Sequence, residues 1–245
     1  MPQYGRPKGA VWGGIQVESD QGLENGVKIR RSARARRMSL RISSVDHGVR
    51  LTVPSFVSDR SAIEFIAEKR GWIERHLNKL PDRIRVSSSP RLPFEGKEFD
   101  VVFGNTKSVR LDVPATQFLV PSDPGKRNSA LMAFYRLAAR DRLVAASDRY
   151  AEKLGVAYSR ISLRDTRSRW GSCSSGGGLM YSWRLVLAPP AVLDYVAAHE
   201  VTHLRHMHHG PEFWQTVELI CPDMDTHRHW LREYGVSLHR WDFTD

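Results

Sequence analysis

The pentapeptide His199-Glu200-Val201-Thr202-His203 sits in an apolar run, with Tyr195-Val196-Ala197-Ala198 before it and Leu204 after it. On a helix, residues four apart share a face, so both imidazoles can turn toward one ion. Glu200 follows about 100° further round, beside that ion but out of line with the two ligands. That position suits a base acting on a water the metal holds. Pro189-Pro190 ahead of the run is a helix start. A catalytic site of this kind needs a third ligand and an open coordination position. His209, in Met207-His208-His209-Gly210-Pro211, is the best candidate, because Gly and Pro are expected to end the helix and let the chain fold back. At the chain's His and Glu content, chance alone gives about 0.02 matches to the pattern.

Eight of the 10 histidines fall between residues 199 and 239, so the surplus must be sorted. His206 is on the same helix face as His203, where ligand geometry is poorer than from a returning loop. His208 competes directly with His209, which ranks first because a loop ligand approaches from another direction. His227, His229 and His239 are read as surface or supporting groups.

The chain as a whole permits an ordinary globular protein, with 41% apolar and 26% charged residues. No apolar run approaches the roughly 18 residues that span a bilayer, so no membrane partner is expected. Gly-rich, partly acidic sequence follows Met1-Pro2-Gln3-Tyr4-Gly5-Arg6, rather than an apolar segment, so no secretory signal is expected. Two cysteines, Cys173 and Cys221, make no disulfide framework. The cytoplasm is the expected location. The net charge of +10 is uneven: residues 1–122 carry 21 Lys+Arg against 13 Asp+Glu, and residues 123–245 carry 16 against 14. The cluster around Arg34, Arg36 and Arg37 offers a surface to nucleic acid or another acidic partner. It holds no aromatic residue to stack on a base.

Residues 1–26 read as an irregular start. Val27-Lys28-Ile29-Arg30, Ser39-Leu40-Arg41-Ile42-Ser43 and Gly48-Val49-Arg50-Leu51-Thr52-Val53 alternate as strands, the last after an Asp46-His47-Gly48 turn, and predict a β-meander. A helix capped by Ser58 or Asp59 runs to about Leu80, where Pro81 stops it. Short strands follow near 99–103, 109–113 and 117–120. Pro121-Ser122-Asp123-Pro124-Gly125 is the strongest linker signal. The expected domains are therefore a β-rich basic unit over 1–122, with one helix near 59–80, and a second unit over 123–245. In the second, a long helix from Ser129 to Leu154 precedes a strand over 158–164. A hairpin with the Gly-rich tip Ser175-Gly176-Gly177-Gly178 follows, its return strand running 179–185, and then the metal helix. Two further helices begin near Glu212 and His227. The fold class is α+β.

The stretches Ser168-Arg169-Trp170-Gly171-Ser172-Cys173-Ser174, Trp183-Arg184-Leu185, Tyr195-Val196-Ala197-Ala198-His199-Glu200 and His209-Gly210-Pro211-Glu212-Phe213-Trp214 together closely resemble the YgjP-like metal-dependent hydrolases. That family is related to the SprT-type and WLM-type zinc peptidases. The resemblance implies a zincin-like minimal metallopeptidase domain in which His199, His203 and His209 bind zinc and Glu200 is the catalytic base. Ser182 stands where the family usually has Asn, and so does His208, which leaves open which member of the pair His208–His209 is the ligand. The spacing of His199, His203 and His209 also equals that of metzincins, but their glycine at the seventh residue after the first His is replaced by His206.

The expected activity is zinc-dependent hydrolysis of peptide bonds in a peptide or protein substrate. Alternatives are hydrolysis of a non-protein amide, or a nucleic-acid-associated role for the basic N-terminal half. Tyr195, Arg184 and His229 are candidates to stabilise an oxyanion. Trp170, Gly171, Trp183, Arg184 and Tyr195 are the expected substrate contacts, with one edge of the hairpin pairing to an extended substrate. Cys173 is expected to be a small buried residue rather than a ligand.

Overall fold

Burial of every second residue organises the first of two units, Met1–Asp82. The computed structural model describes residues 10–12, 15–19, 26–43, 48–78 and 82–243. β1 (Ala10–Trp12), β2 (Ile15–Ser19), β3 (Val27–Ser32), β4 (Ser39–Ile42) and β5 (Val49–Pro54) form one sheet in the order β1-β2-β3-β5-β4. Along β5, Val49, Leu51 and Val53 are buried while Arg50 faces water, as a half-buried strand requires. With Val27 they pack on Ala62, Ile66 and Ile73 of α1 (Asp59–Glu68) and α2 (Arg70–Leu77). The Ser58 hydroxyl caps α1 by accepting from the Ser61 N–H at 3.1 Å. Arg31 reaches Asp59 at 2.5 Å and donates to the Val57 carbonyl at 2.7 Å, so one member of the basic cluster serves the fold.

Three sequence expectations change in this unit. The meander is absent: β3 runs parallel to β5, and β4 lies antiparallel on β5. Alternation identifies a strand and its buried face, but not the neighbour it takes. Two strands lie within residues 10–19 where an irregular start was expected, held through the pairing of β2 with β3. The expected single helix is two, broken at Lys69, whose ψ of 2° leaves the helical range. The break falls in the polar stretch Glu68-Lys69-Arg70-Gly71, where no apolar side chain ties the helix down. Asp46 and His47 of the expected turn, and Leu80 and Pro81 at the expected helix stop, lie outside the described residues.

The second unit, Arg83–Asp245, carries the histidine cluster. It begins with β6 (Ile84–Arg85), β7 (Arg91–Phe94), β8 (Lys97–Gly104), β9 (Arg110–Asp112) and β10 (Gln117–Pro121), then the 31-residue α3 (Pro124–Leu154). Next come β11 (Arg160–Arg164), β12 (Gly171–Cys173), β13 (Gly178–Ser182) and a 3-10 turn over Trp183–Leu187. α4 (Pro190–Thr202), α5 (Pro211–Ile220) and α6 (Met224–Tyr234) follow, and a second 3-10 turn leads to β14 (Trp241–Asp242). The sheets are β7-β8-β10-β9, β11-β13-β12 and β14-β6. The architecture is mixed α+β.

The boundary between units falls at Asp82–Arg83, not at the expected 122/123 position. Pro121 ends β10, and Asp123 caps α3 by accepting from the Gly125 N–H at 3.0 Å. Arg127 then fastens the bend, donating to the carbonyls of Pro121 and Ser122 with its guanidinium 3.9 Å from the Phe103 ring centre. Phe94, Phe99 and Phe118 from the strands share a core with Phe134 and Tyr135 of α3. A Pro/Gly-rich stretch marks a bend, but it does not reveal whether one core continues on both sides.

α3 ends at Gly155, whose φ of 61° is the left-handed conformation of a helix stop. The hairpin is β12 and β13, with its tip over residues 174–177, and β11 adds parallel to β13. The expected return strand over 179–185 is cut short at Ser182, because Trp183, Arg184 and Leu185 turn inward in the 3-10 segment and are buried. Among the described residues, no helix is long and apolar enough to cross a membrane.

Candidate metal centre

α4 opens with Pro190 at its first turn and runs through Val192, Leu193, Val196, Ala197, Ala198 and Val201, all buried. A helix apolar on nearly every side is a core helix. It packs against α3, α5, α6 and β12, which fixes where its few polar side chains emerge. His199 and His203 emerge one turn apart with ring centres 5.1 Å from each other. The helix stops at Thr202, eight residues before the Gly210-Pro211 pair expected to end it. That pair instead starts α5, with Pro211 in its first turn.

The connecting loop brings in the third imidazole. Arg205 donates to the Leu154 carbonyl at the end of α3, anchoring the loop. The carbonyl of His206 lies 3.0 Å from Nδ1 of His203. A carbonyl only accepts, so that nitrogen carries the proton and Nε2 keeps its lone pair free. Further along, Nε2 of His209 comes to 3.1 Å from Nε2 of His199. One ligating atom from each of His199, His203 and His209 lies within 4.8 Å of the others. His208 is exposed and outside this group. His206 contributes its backbone, while its ring lies 3.8 Å from the Glu212 carboxylate.

Aromatic rings hold the three imidazoles in place. Phe213, fully buried, has its ring centre 4.9 Å from His199, 4.5 Å from His203 and 4.7 Å from His209. Trp214 stacks on His209 at 5.5 Å and is itself covered by the Arg228 guanidinium at 4.6 Å. Sequence reading placed Phe213 and Trp214 in a stretch resembling the family and at the start of an amphipathic helix, without assigning them a role beside the histidines. Their place directly after the Gly-Pro that follows His209 was the available signal.

Burial and the neighbouring imidazoles of His203 and His209 push the His199 pKa down to about 3, so its ring is neutral at ordinary pH. Among the described residues its Nδ1 is buried without a hydrogen-bond partner, so the ring's polar contacts there all lie on the Nε2 side. Two nitrogens each about 2.0–2.1 Å from a tetrahedral ion lie roughly 3.3 Å apart. The observed 3.1 Å fits that arrangement. The three histidines therefore suit a divalent ion that accepts imidazole donors.

Glu200 is 5% exposed and sits against β12. A Cβ on Gly171 would come within 2.5 Å of the Glu200 Cγ and Oε1, so only glycine lets the strand pass this close. Burial raises the Glu200 pKa to about 8, opposed by the positive charge of Arg169. His199 and Glu200 form one wall of a cleft of about 240 Å³, completed by Arg169, Trp170, Gly171, Tyr195, Val196 and Leu231.

Of the expected substrate contacts, Trp170, Gly171 and Tyr195 thus line the cleft. The other two do not. Trp183 is 1% exposed, packed in the core edge-on to Phe243 at 4.8 Å. Arg184 is buried, with Nε and Nη2 on the Asp165 carboxylate at 2.7 and 3.0 Å. Its Nη1 donates to the carbonyls of Leu238 and Trp241. His229 faces outward and pairs with Glu233 at 3.3 Å. Cys173 is half-buried and free, and lies outside the histidine group.

A family model described as "YgjP-like, metallopeptidase domain" matches residues 36–234. No curated protein and no solved structure matches the chain.

Proposed function

Since the chain belongs to the YgjP-like family and carries its metallopeptidase domain, we propose that it is a zinc-dependent peptidase with a zincin-like catalytic region. The observation that carries this reading is the convergence of His199, His203 and His209 beside a buried carboxylate. In this reading the three imidazoles hold zinc. When bound, zinc would supply Lewis acidity toward a carbonyl oxygen and a water.

Glu200 is the general base, taking the proton of the attacking water and delivering it to the leaving amine. Burial that raises its pKa toward 8 also makes its ionised form a stronger base. Tyr195 is the oxyanion donor favoured among the three considered, since Arg184 is consumed by Asp165 and His229 points away. Burial raises the Tyr195 pKa, which keeps its hydroxyl protonated as a donor at neutral pH. β12 is an edge strand of its sheet, so the outer backbone groups of Gly171–Cys173 are available to pair with an extended peptide.

The test is Glu200→Gln. Its zinc content, measured on purified protein, should match that of the parent chain. Cleavage of an unfolded protein such as casein should fall by about 10²–10⁴-fold, the range lost with a general base. Unchanged turnover with unchanged zinc would reject the assignment.

A further inference from the structure

The sheet that borders the cleft has a second face. Side chains alternate along strands, so Gly171 points toward Glu200 while Ser172 points the other way. Register sets Ser172 beside Met180 of β13, and Met180 beside Ser162 of β11. Arg160 and Arg164, two residues either side of Ser162, share that outer face. The loop from β11 to β12 adds Arg169 at its margin. Together these residues line a groove of about 460 Å³ whose walls contain three arginines and several hydroxyls, and neither a carboxylate nor an aromatic ring.

Several arginines elsewhere in this unit are neutralised. Arg83, Arg91, Arg142, Arg149 and Arg184 each reach a carboxylate within 3.0 Å. The three in the groove are exposed, and none has an ion-pair partner among the described residues. Arg169 also acts at a distance on Glu200, but three guanidinium groups on one concave surface repel each other, and an anion relieves that repulsion with charge-assisted hydrogen bonds. The surrounding hydroxyls supply further donors.

Arg169 lines both this groove and the catalytic cleft, so the two meet at the margin of the sheet. β11 lies two strand spacings from β12, roughly 10 Å, which an extended chain covers in about three residues. We propose that the groove is a specificity site for substrate, taking the acidic side chains of a polypeptide segment that flanks the bond held in the cleft. This rests on the peptidase reading above. Arg169 meets the acidic residue nearest that bond, and Arg160 and Arg164 meet those a few positions further out. A polypeptide fits better than a nucleic acid, because no ring in the groove can stack on a base.

The experiment reads binding apart from hydrolysis, so that either idea can fail alone. A fluorescein-labelled decaglutamate peptide is titrated into full-length Glu200→Gln protein at low salt and followed by anisotropy. It should bind, weaken as salt rises, and lose about tenfold or more in affinity when Arg160→Ala and Arg164→Ala are added. Both arginines are exposed, and an unaltered melting curve verifies that the variant folds. Replacing Arg34, Arg36 and Arg37 by Ala instead should leave binding unchanged. The proposal is overturned if the peptide does not bind, or if its binding follows the Arg34, Arg36 and Arg37 variant. It is equally overturned if a ten-residue oligothymidylate binds more tightly and depends on Arg160 and Arg164. In the active protein, Arg160→Ala with Arg164→Ala should remove any preference for acidic over neutral peptides. Persistence of that preference would also defeat the proposal.

Discussion

Two partly buried polar clusters in the second unit differ in where their hydrogen bonds end. Around Arg184, the guanidinium meets both oxygens of Asp165 and two backbone carbonyls, so its bonding capacity is spent inside the protein. Around His199, imidazole nitrogens face one another at 3.1 Å, with no acid or carbonyl between them. The first cluster is closed and joins the β11–β12 loop to the carboxyl-terminal residues. The second is open in that its imidazole nitrogens face one another, and each ring in its neutral form can offer a lone pair to an ion. Burial and polarity are common to both, so neither marks a functional site by itself. The direction of the lone pairs does.

The largest effect should come from the open cluster. His203→Ala removes a proposed ligand that the His206 carbonyl holds in orientation, and should lower metal affinity by more than the roughly 100-fold typical of supporting residues. Hydrolysis should disappear with the metal. Because the closed cluster is untouched, the urea midpoint of metal-stripped protein should barely move. A large drop in that midpoint would mean the histidines are architectural and would erase the distinction.

Arg184→Met makes the converse change. It leaves two buried carbonyls without their donor, while the half-exposed Asp165 rehydrates, and should cost about 2–4 kcal/mol of unfolding free energy. Urea denaturation measures this. Metal content of the folded fraction should stay at the parent level, since Arg184 touches none of the three imidazoles.

The two clusters also differ in how legible they are in sequence. His199, Glu200 and His203 follow from helical spacing alone, because the period of the backbone dictates which side chains meet. His209 and His208 could not be separated that way, since a loop has no period. What separates them is the approach of His209 Nε2 to His199 and its packing against Phe213 and Trp214. Arg184 was misread because Trp183-Arg184-Leu185 continues a strand-like alternation. Its partner Asp165 lies 19 residues earlier, a pairing no local pattern announces. The boundary near residue 122 failed for a related reason. Its Pro/Gly signal is real, but the aromatic core that spans it is assembled from residues far apart in sequence.

Gly171→Ala tests the seam where β12 meets the open cluster. The new methyl would stand 2.5 Å from the Glu200 side chain, and that carboxylate must move. A displacement of about 1 Å at a reacting group can cost roughly 100-fold in rate. The expected result is a kcat lowered by about that factor with metal retained. Rate and metal lost together would instead indicate collapse of α4.

The smallest effect concerns His239, which stacks on Trp170 of the cleft at 5.2 Å and lies beside the closed cluster. Burial lowers its pKa to about 4. Arg184 and Arg167 push in the same direction, and Asp165 opposes them. In the unfolded chain the imidazole titrates near 6.5. At neutral pH both states leave it uncharged and it contributes no pH dependence. Between 6.5 and about 4 only the unfolded chain takes up the proton, so stability must fall as pH falls, and this contribution levels off below that range. At pH 5 the loss is about 2 kcal/mol. His239→Phe keeps a ring against Trp170 and removes the titration, and also removes a buried Nδ1 that has no partner among the described residues. The difference in unfolding free energy between parent and variant, measured from pH 7 to 4.5, should therefore widen as pH drops. A constant difference would mean that His239 is hydrated and ionises freely in the fold, so that this edge of the closed cluster is open after all.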